Sequence, residues 1–163
     1  MTRINQIARS DFKFDLEEYL WVKKYSIELF GECVSTNIFI LGEEDVEIEN
    51  EQIVAVNDFV EYFQEYLAQL EENLLLYFKD NLDDICSRYE SESQKKVALN
   101  VNSERELSKV MSIEGILIPY SFDKSQLVVG FMFQRSWDLS HNLGVKFVNR
   151  KLVMIDDAAG LLF

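Results

Sequence analysis

The chain has 163 residues, 48% apolar and 13% aromatic, with six glycines and one proline; that supports one folded domain and excludes a disordered, collagenous or low-complexity chain. Its net charge of −13 is confined, because Glu43 to Glu90 holds fifteen acidic residues against only Lys79 and Arg88, leaving the rest electrically balanced. Such a field repels nucleic acid and anionic membranes and attracts cationic partners.

Residues 1–18 are polar and mixed and predict no regular element. Tyr25, Ile27 and Leu29 then alternate with Ser26 and Glu28. Beyond Phe30-Gly31-Glu32, a second run alternates Val34, Thr36, Ile38 and Ile40 with Ser35, Asn37 and Phe39. Period-two alternation on both sides of a glycine turn predicts a β-hairpin. The period next changes to three and four, and Ile53, Val56, Val60, Phe63, Leu67, Leu70 and Leu74 predict one apolar helical face. Asn50 suits the N-cap, and Glu51 in the first turn suits the helix dipole. The helical pattern lasts to about Tyr89, too long for one ordinary globular helix, so a break near Asn81 or Asp84 is expected. Residues 91–102 read as a loop, and Ser103 with Glu106 as the capping box of a short helix ending near Met111.

Strand signals return at Gly115–Tyr120, Leu127–Trp137, Leu143–Val148 and Lys151–Ile155. Their separators, Ser121–Ser125, Asp138–Asn142 and Asn149-Arg150, are short enough for hairpins. Pro119, late in its strand, suits a strand end. The expected architecture is a single α+β domain over 1–163. It has a mostly antiparallel sheet, made of an N-terminal hairpin plus a C-terminal meander over 113–160. Two or three helices, including the acidic segment 50–90, pack on one face. Cys33 and Cys86 are expected as free, mostly buried thiols. No apolar run nears the roughly 20 residues of a membrane span, and Met1–Asp15 lacks the apolar stretch of a signal peptide. The expectation is a soluble, cytoplasmic protein.

The segment Arg135-Ser136-Trp137-Asp138-Leu139-Ser140-His141-Asn142-Leu143-Gly144-Val145-Lys146-Phe147 resembles the signature of a widespread bacterial domain family, roughly C-x-W-D-x-E-H-G-L-G-V-x-F. Leu29-Phe30-Gly31 is similar to that family's early L-F-F-G turn, and Glu47-Ile48 with Gln52 to its E-I-x-x-x-Q helix entry. Ile116–Tyr120 and Val129-Gly130 resemble its later strands, and Asp156-Asp157 stands where its members often carry Q-D. Ser140 stands where the family carries an acidic residue, and Asn142 where it carries glycine. The resemblance implies an immunity or accessory protein of a polymorphic-toxin locus, with Trp137, Asp138 and His141 as its structural signature.

Two groups of residues are candidates for function. His141 is the only histidine, and a carboxylate such as Asp138 or Asp157 could orient its imidazole for proton transfer. A turn held by Asp138, Asn142 and the histidine accounts for the same residues without catalysis. There is no second histidine or C-x-x-C for a metal, no phosphate-binding glycine loop and no nucleophile elbow, so no cofactor, metal or enzymatic activity is expected. On the acidic helix, the face opposite Ile53–Leu74 carries Asp58, Glu61, Glu65 and Glu72, flanked by Tyr62 and Tyr66. Carboxylates steer encounter with a basic partner while aromatic rings supply buried contact; a merely solubilising face is the alternative. The expected function is that of an immunity protein occluding the active site of a cationic toxin domain, a nuclease, by this helical face. A small enzyme using Asp138, His141 and Asp157, or an acidic adaptor, are the alternatives.

Overall fold

A computed structural model describes residues 6–162. Residues 1–5, part of the segment expected to be irregular, lie outside the described range, as does Phe163. A short 3₁₀ turn at Arg9–Asp11 leads into strand β1 (Lys13–Asp15), so the N-terminal stretch is more ordered than its composition suggests. Ile7 is tied to the helical layer by its backbone: its N–H donates to Asn57 Oδ1 at 2.8 Å, and its carbonyl accepts from Asn57 Nδ2 at 3.0 Å.

The hairpin forms as expected from β2 (Leu20–Leu29) and β3 (Glu32–Ile40), in register Leu29↔Glu32. Its two-residue turn puts Phe30 at φ 53° and Gly31 at φ 79°. Both central residues thus take the left-handed conformation that matches the twist of the flanking strands, and glycine adopts it without strain.

The helical region begins with α1 (Asn50–Glu61), capped by Glu49 one residue before the expected Asn50. It breaks at Tyr62, continues as α2 (Phe63–Asp80), and breaks again at Asn81 before α3 (Leu82–Arg88). The second break is the one the sequence indicates. Residues 91–102 are not a loop throughout: α4 spans Glu92–Leu99, its N-cap Ser91 accepting from the Gln94 N–H at 3.4 Å. Only Ala98 of α4 is buried, which is why no apolar period marks it in the sequence. The Ser103 capping signal is realised as a 3₁₀ helix, Glu104–Lys109, with Glu106 accepting from Ser103 Oγ at 3.2 Å.

The meander is β4 (Met111–Ile118), β5 (Val128–Arg135), β6 (Asp138–Val148) and β7 (Lys151–Asp157). All seven strands form one sheet in the order β1 to β7. Every neighbouring pair is antiparallel except β3 and β4, which pair in parallel through Ile38↔Ile116, Phe39↔Leu117 and Ile40↔Ile118. Parallel strands need a long crossover, and the helical region supplies it. The sheet is therefore larger than a separate hairpin and meander. Between β5 and β6 the connection is Ser136-Trp137 alone. Asp138–Asn142, expected as a connecting loop, is the first half of β6. Pro119 follows the last residue of β4, at a strand end as expected, and is buried.

The helices cover the face that presents Ile38, Ile116, Phe131 and Phe147. Phe59 stands at its centre, with ring centroids 5.6 Å from Phe63, 5.5 Å from Tyr66 and 5.7 Å from Phe131. On the opposite face the final turn, Ala158–Leu162, folds back so that Leu161 is buried over Gly130 and Gly144. A Cβ on Gly144 would lie 2.8 Å from the Ala158 backbone, so only glycine admits this approach. Cys33 and Cys86 are free thiols, but Cys33 is exposed on its strand rather than buried. No helix among the described residues is long and apolar enough to cross a membrane.

Candidate functional site

The turn between β6 and β7 consists of Asn149 and Arg150, at φ 49° and 67°, and it aims Arg150 at the break between α1 and α2. Arg150 Nε lies 3.2 Å from Asp58 Oδ1, and Nη1 lies 3.8 Å from Glu65 Oε2. Its guanidinium carbon sits 3.7 Å from the centre of the Tyr62 ring. Gln69 clamps the same turn, donating to the Arg150 carbonyl at 2.6 Å and accepting from the Leu152 N–H at 3.2 Å.

This geometry corrects the expected acidic face. Tyr66 has no exposed surface, and the Asp58 side chain is only 9% exposed. Tyr66 follows Phe59 by seven residues, close to two helical turns, which returns it to the core-facing side. There its ring packs 5.1 Å from that of Phe147. A buried hydroxyl needs an acceptor, and Tyr66 donates to Asp58 Oδ2 at 2.8 Å. Burial first, and then that hydrogen bond and the Asp58 charge, push the tyrosine hydroxyl far above its usual range. Asp58 and Tyr66 are thus framework. Tyr62 is half-buried under Arg150, while Glu61, Glu65 and Glu72 remain exposed.

A second cluster forms around Trp137, Asp138 and His141. Its hub is Arg135, a buried arginine whose role the sequence did not disclose. Arg135 Nη2 donates to Asp157 Oδ1 at 2.8 Å and to Asp138 Oδ2 at 3.3 Å, and Nε donates to the His141 carbonyl at 3.0 Å. Arg88 Nη1 approaches Asp138 Oδ2 from α3 at 3.6 Å. Trp137 is buried beside Phe78 with centroids 5.7 Å apart, and Tyr89 and Ser136 share a hydroxyl hydrogen bond of 2.6 Å.

The His141 side chain, by contrast, is 67% exposed, with Nδ1 3.3 Å from Asp138 Oδ1. Burial opposes ionisation of Asp138, but the His141 hydrogen bond and the Arg135 charge together hold its carboxyl below the usual range. Asp138 stands next to His141, but Asp138 and Asp157 both face Arg135. The cleft beside the cluster, about 200 Å³, is lined by Arg135, Ser136 and Leu139 but not by Asp138, His141 or Asp157. No group of three or more potential metal ligands occurs among the described residues.

A third feature escaped the sequence reading. At the end of β3 and β4, loops 41–49 and 119–123 enclose a groove of about 670 Å³ lined by Leu41, Gly42, Glu43, Val46, Glu47, Glu49, Gln52, Tyr120, Ser121 and Phe122. Phe122 is 81% exposed and Val46 54%. An aromatic residue inside the polar run Ser121–Ser125 was the available signal, because turn chemistry alone does not call for it.

Neither the curated proteins nor the solved structures yield a match to this chain. The family model described as a domain of unknown function (DUF6985) matches residues 10–162, and the chain belongs to that family.

Proposed function

We propose that this member of the DUF6985 family is a non-enzymatic, protein-binding domain of the immunity type. It acts in the bacterial cytoplasm by capturing the cationic domain of a protein toxin, a nuclease, and covering its active site. The observation that carries this reading is the surface left after the internal ion pairs are made. Glu43, Glu44, Asp45, Glu47, Glu61 and Glu72 are exposed, and none of them has an ion-pair partner among the described residues. Carboxylates held ready for a partner's cations steer encounter, and close charge pairs of this kind couple by roughly 1.5–7 kcal/mol. An enzyme whose substrate is polyanionic is the natural target for such a surface.

The test is inhibition. A basic nuclease domain that co-purifies with the chain should lose activity when one equivalent of the chain is added. Its association rate should fall at least tenfold between about 0.05 M and about 0.5 M salt, as the Debye length shortens. A captured partner that stays fully active, or a rate indifferent to salt, would refute the reading.

A further inference from the structure

The groove at the end of β3 and β4 combines two properties that rarely meet on a surface without a partner. Its apolar wall is Leu41, Val46, Tyr120 and Phe122, the last two with ring centroids 6.4 Å apart. Its charged lining is Glu43, Glu47 and Glu49, and no lysine or arginine lines it. We propose that this groove docks a segment of a second protein that carries lysine or arginine on either side of one bulky apolar side chain. The proposal rests on the protein-binding reading above and gives it a surface and a partner chemistry.

Charge selects the occupant. Nucleic acid and anionic membrane are repelled by the carboxylates, and a second copy of this chain, itself at −13, is repelled as well. A cationic segment is the complement, and the exposed Phe122 ring gives it an apolar anchor within an acidic rim, the usual anatomy of a binding hot spot.

The groove is also built in advance. Gln52, buried at the start of α1, donates through Nε2 to the Leu41 carbonyl at 2.8 Å and to the Pro119 carbonyl at 3.1 Å. It thereby pins the two loops to one helix. Glu49 Oε1 accepts from the Ser121 N–H at 3.3 Å and closes the same joint. Walls fixed before binding lose little entropy on binding. Glu43 and Glu47, exposed and without ion-pair partners among the described residues, are free to meet cations.

The experiment is a titration of the ¹⁵N-labelled full chain with a synthetic heptapeptide alternating lysine and leucine. Peptides alternating lysine with serine, and glutamate with leucine, are the controls. Amide shifts should move at 43–49 and 120–123 for the lysine–leucine peptide and stay still for the glutamate peptide. Phe122→Ser should keep the wild-type melting temperature and weaken binding at least tenfold, and so should the pair Glu43→Gln with Glu47→Gln. Shifts confined to Glu61, Glu65 and Glu72 would overturn the groove while leaving the cationic-partner reading standing. Equal affinity for the lysine–serine peptide would overturn the apolar anchor. Failure of both lysine peptides and of polylysine to bind would overturn the groove and the underlying reading together.

Discussion

Arg150 Nε lies 3.2 Å from the Asp58 carboxylate, joining the turn between the last two strands to the break between the first two helices. The same guanidinium stacks on Tyr62, and the same carboxylate accepts from Tyr66. The ion pair therefore ties the acidic helices to the sheet, beside the Gln69 hydrogen bonds to the same turn. Arg150→Gly isolates the side chain, since glycine suits the turn's φ of 67° at least as well. It should destabilise the protein by about 1–3 kcal/mol, below the cost of breaking a fully buried pair because Arg150 is partly exposed. Chemical denaturation checks this, and an unchanged midpoint would mean that the pair contributes nothing.

Asp58 and Glu61, three residues apart on one acidic helix, should behave oppositely. Asp58→Asn leaves Arg150 without its nearest carboxylate and should lower the melting temperature. Glu61→Gln, at an exposed position, should leave it unchanged or raise it slightly by relieving like-charge repulsion. Equal effects in thermal unfolding would contradict the burial difference described above.

Arg135, rather than His141, should hold the Trp137–Asp138 block together. Arg135→Met takes the guanidinium from Asp157, leaves Asp138 only the Arg88 and His141 side chains, and removes the donor to the His141 carbonyl, and should cost about 3 kcal/mol. His141→Ala, at an exposed side chain, should change stability by no more than about 0.5 kcal/mol. A reversed ranking in denaturation midpoints would return the histidine to a central role.

Two carboxylates should give opposite pH signatures. Burial pushes Glu71 above its usual range, against the stabilising Phe30 N–H, with Glu104 and Glu28 adding repulsion. A raised native value means the folded state holds its proton longer, so this contribution favours folding at low pH and is lost as pH rises through that value. Glu71→Gln keeps an acceptor for Phe30 and should therefore raise the melting temperature more at pH 7 than at pH 4. Asp138, held low, contributes stability above its unfolded value of about 3.9 and loses it as pH falls through the native one. Asp138→Asn should accordingly cost more at pH 7 than at pH 2. Melting curves across that range decide both.

Elements whose signals are local are legible along the chain. Alternation around Phe30-Gly31 specifies the hairpin, the separators Ser121–Ser125 and Asn149-Arg150 mark two true connections of the meander while Asp138–Asn142 is strand, and Asn81 marks a true helix break. Side-chain period and turn chemistry act on neighbouring residues, so a linear reading captures them. The excess of acid between Glu43 and Glu90 is likewise a property of the chain alone. The parallel pairing of β3 with β4, which fuses hairpin and meander into one sheet, has no local signal, because it joins residues such as Ile38 and Ile116 across the whole helical crossover. Packing also set the width of the inward helical face: Val56, Leu70 and Leu74 of the stripe read from Ile53 to Leu74 are buried as expected, and Phe59 and Tyr66 are buried beside them against Phe147. Arg135 and Arg150 became hubs, and Gln52 came to link loops on both sides of a groove, for one reason. Each has at least one partner beyond its own neighbourhood, Asp157 for Arg135, Asp58 for Arg150 and Pro119 for Gln52, and folding brings them together at distances where hydrogen bonds and charges act.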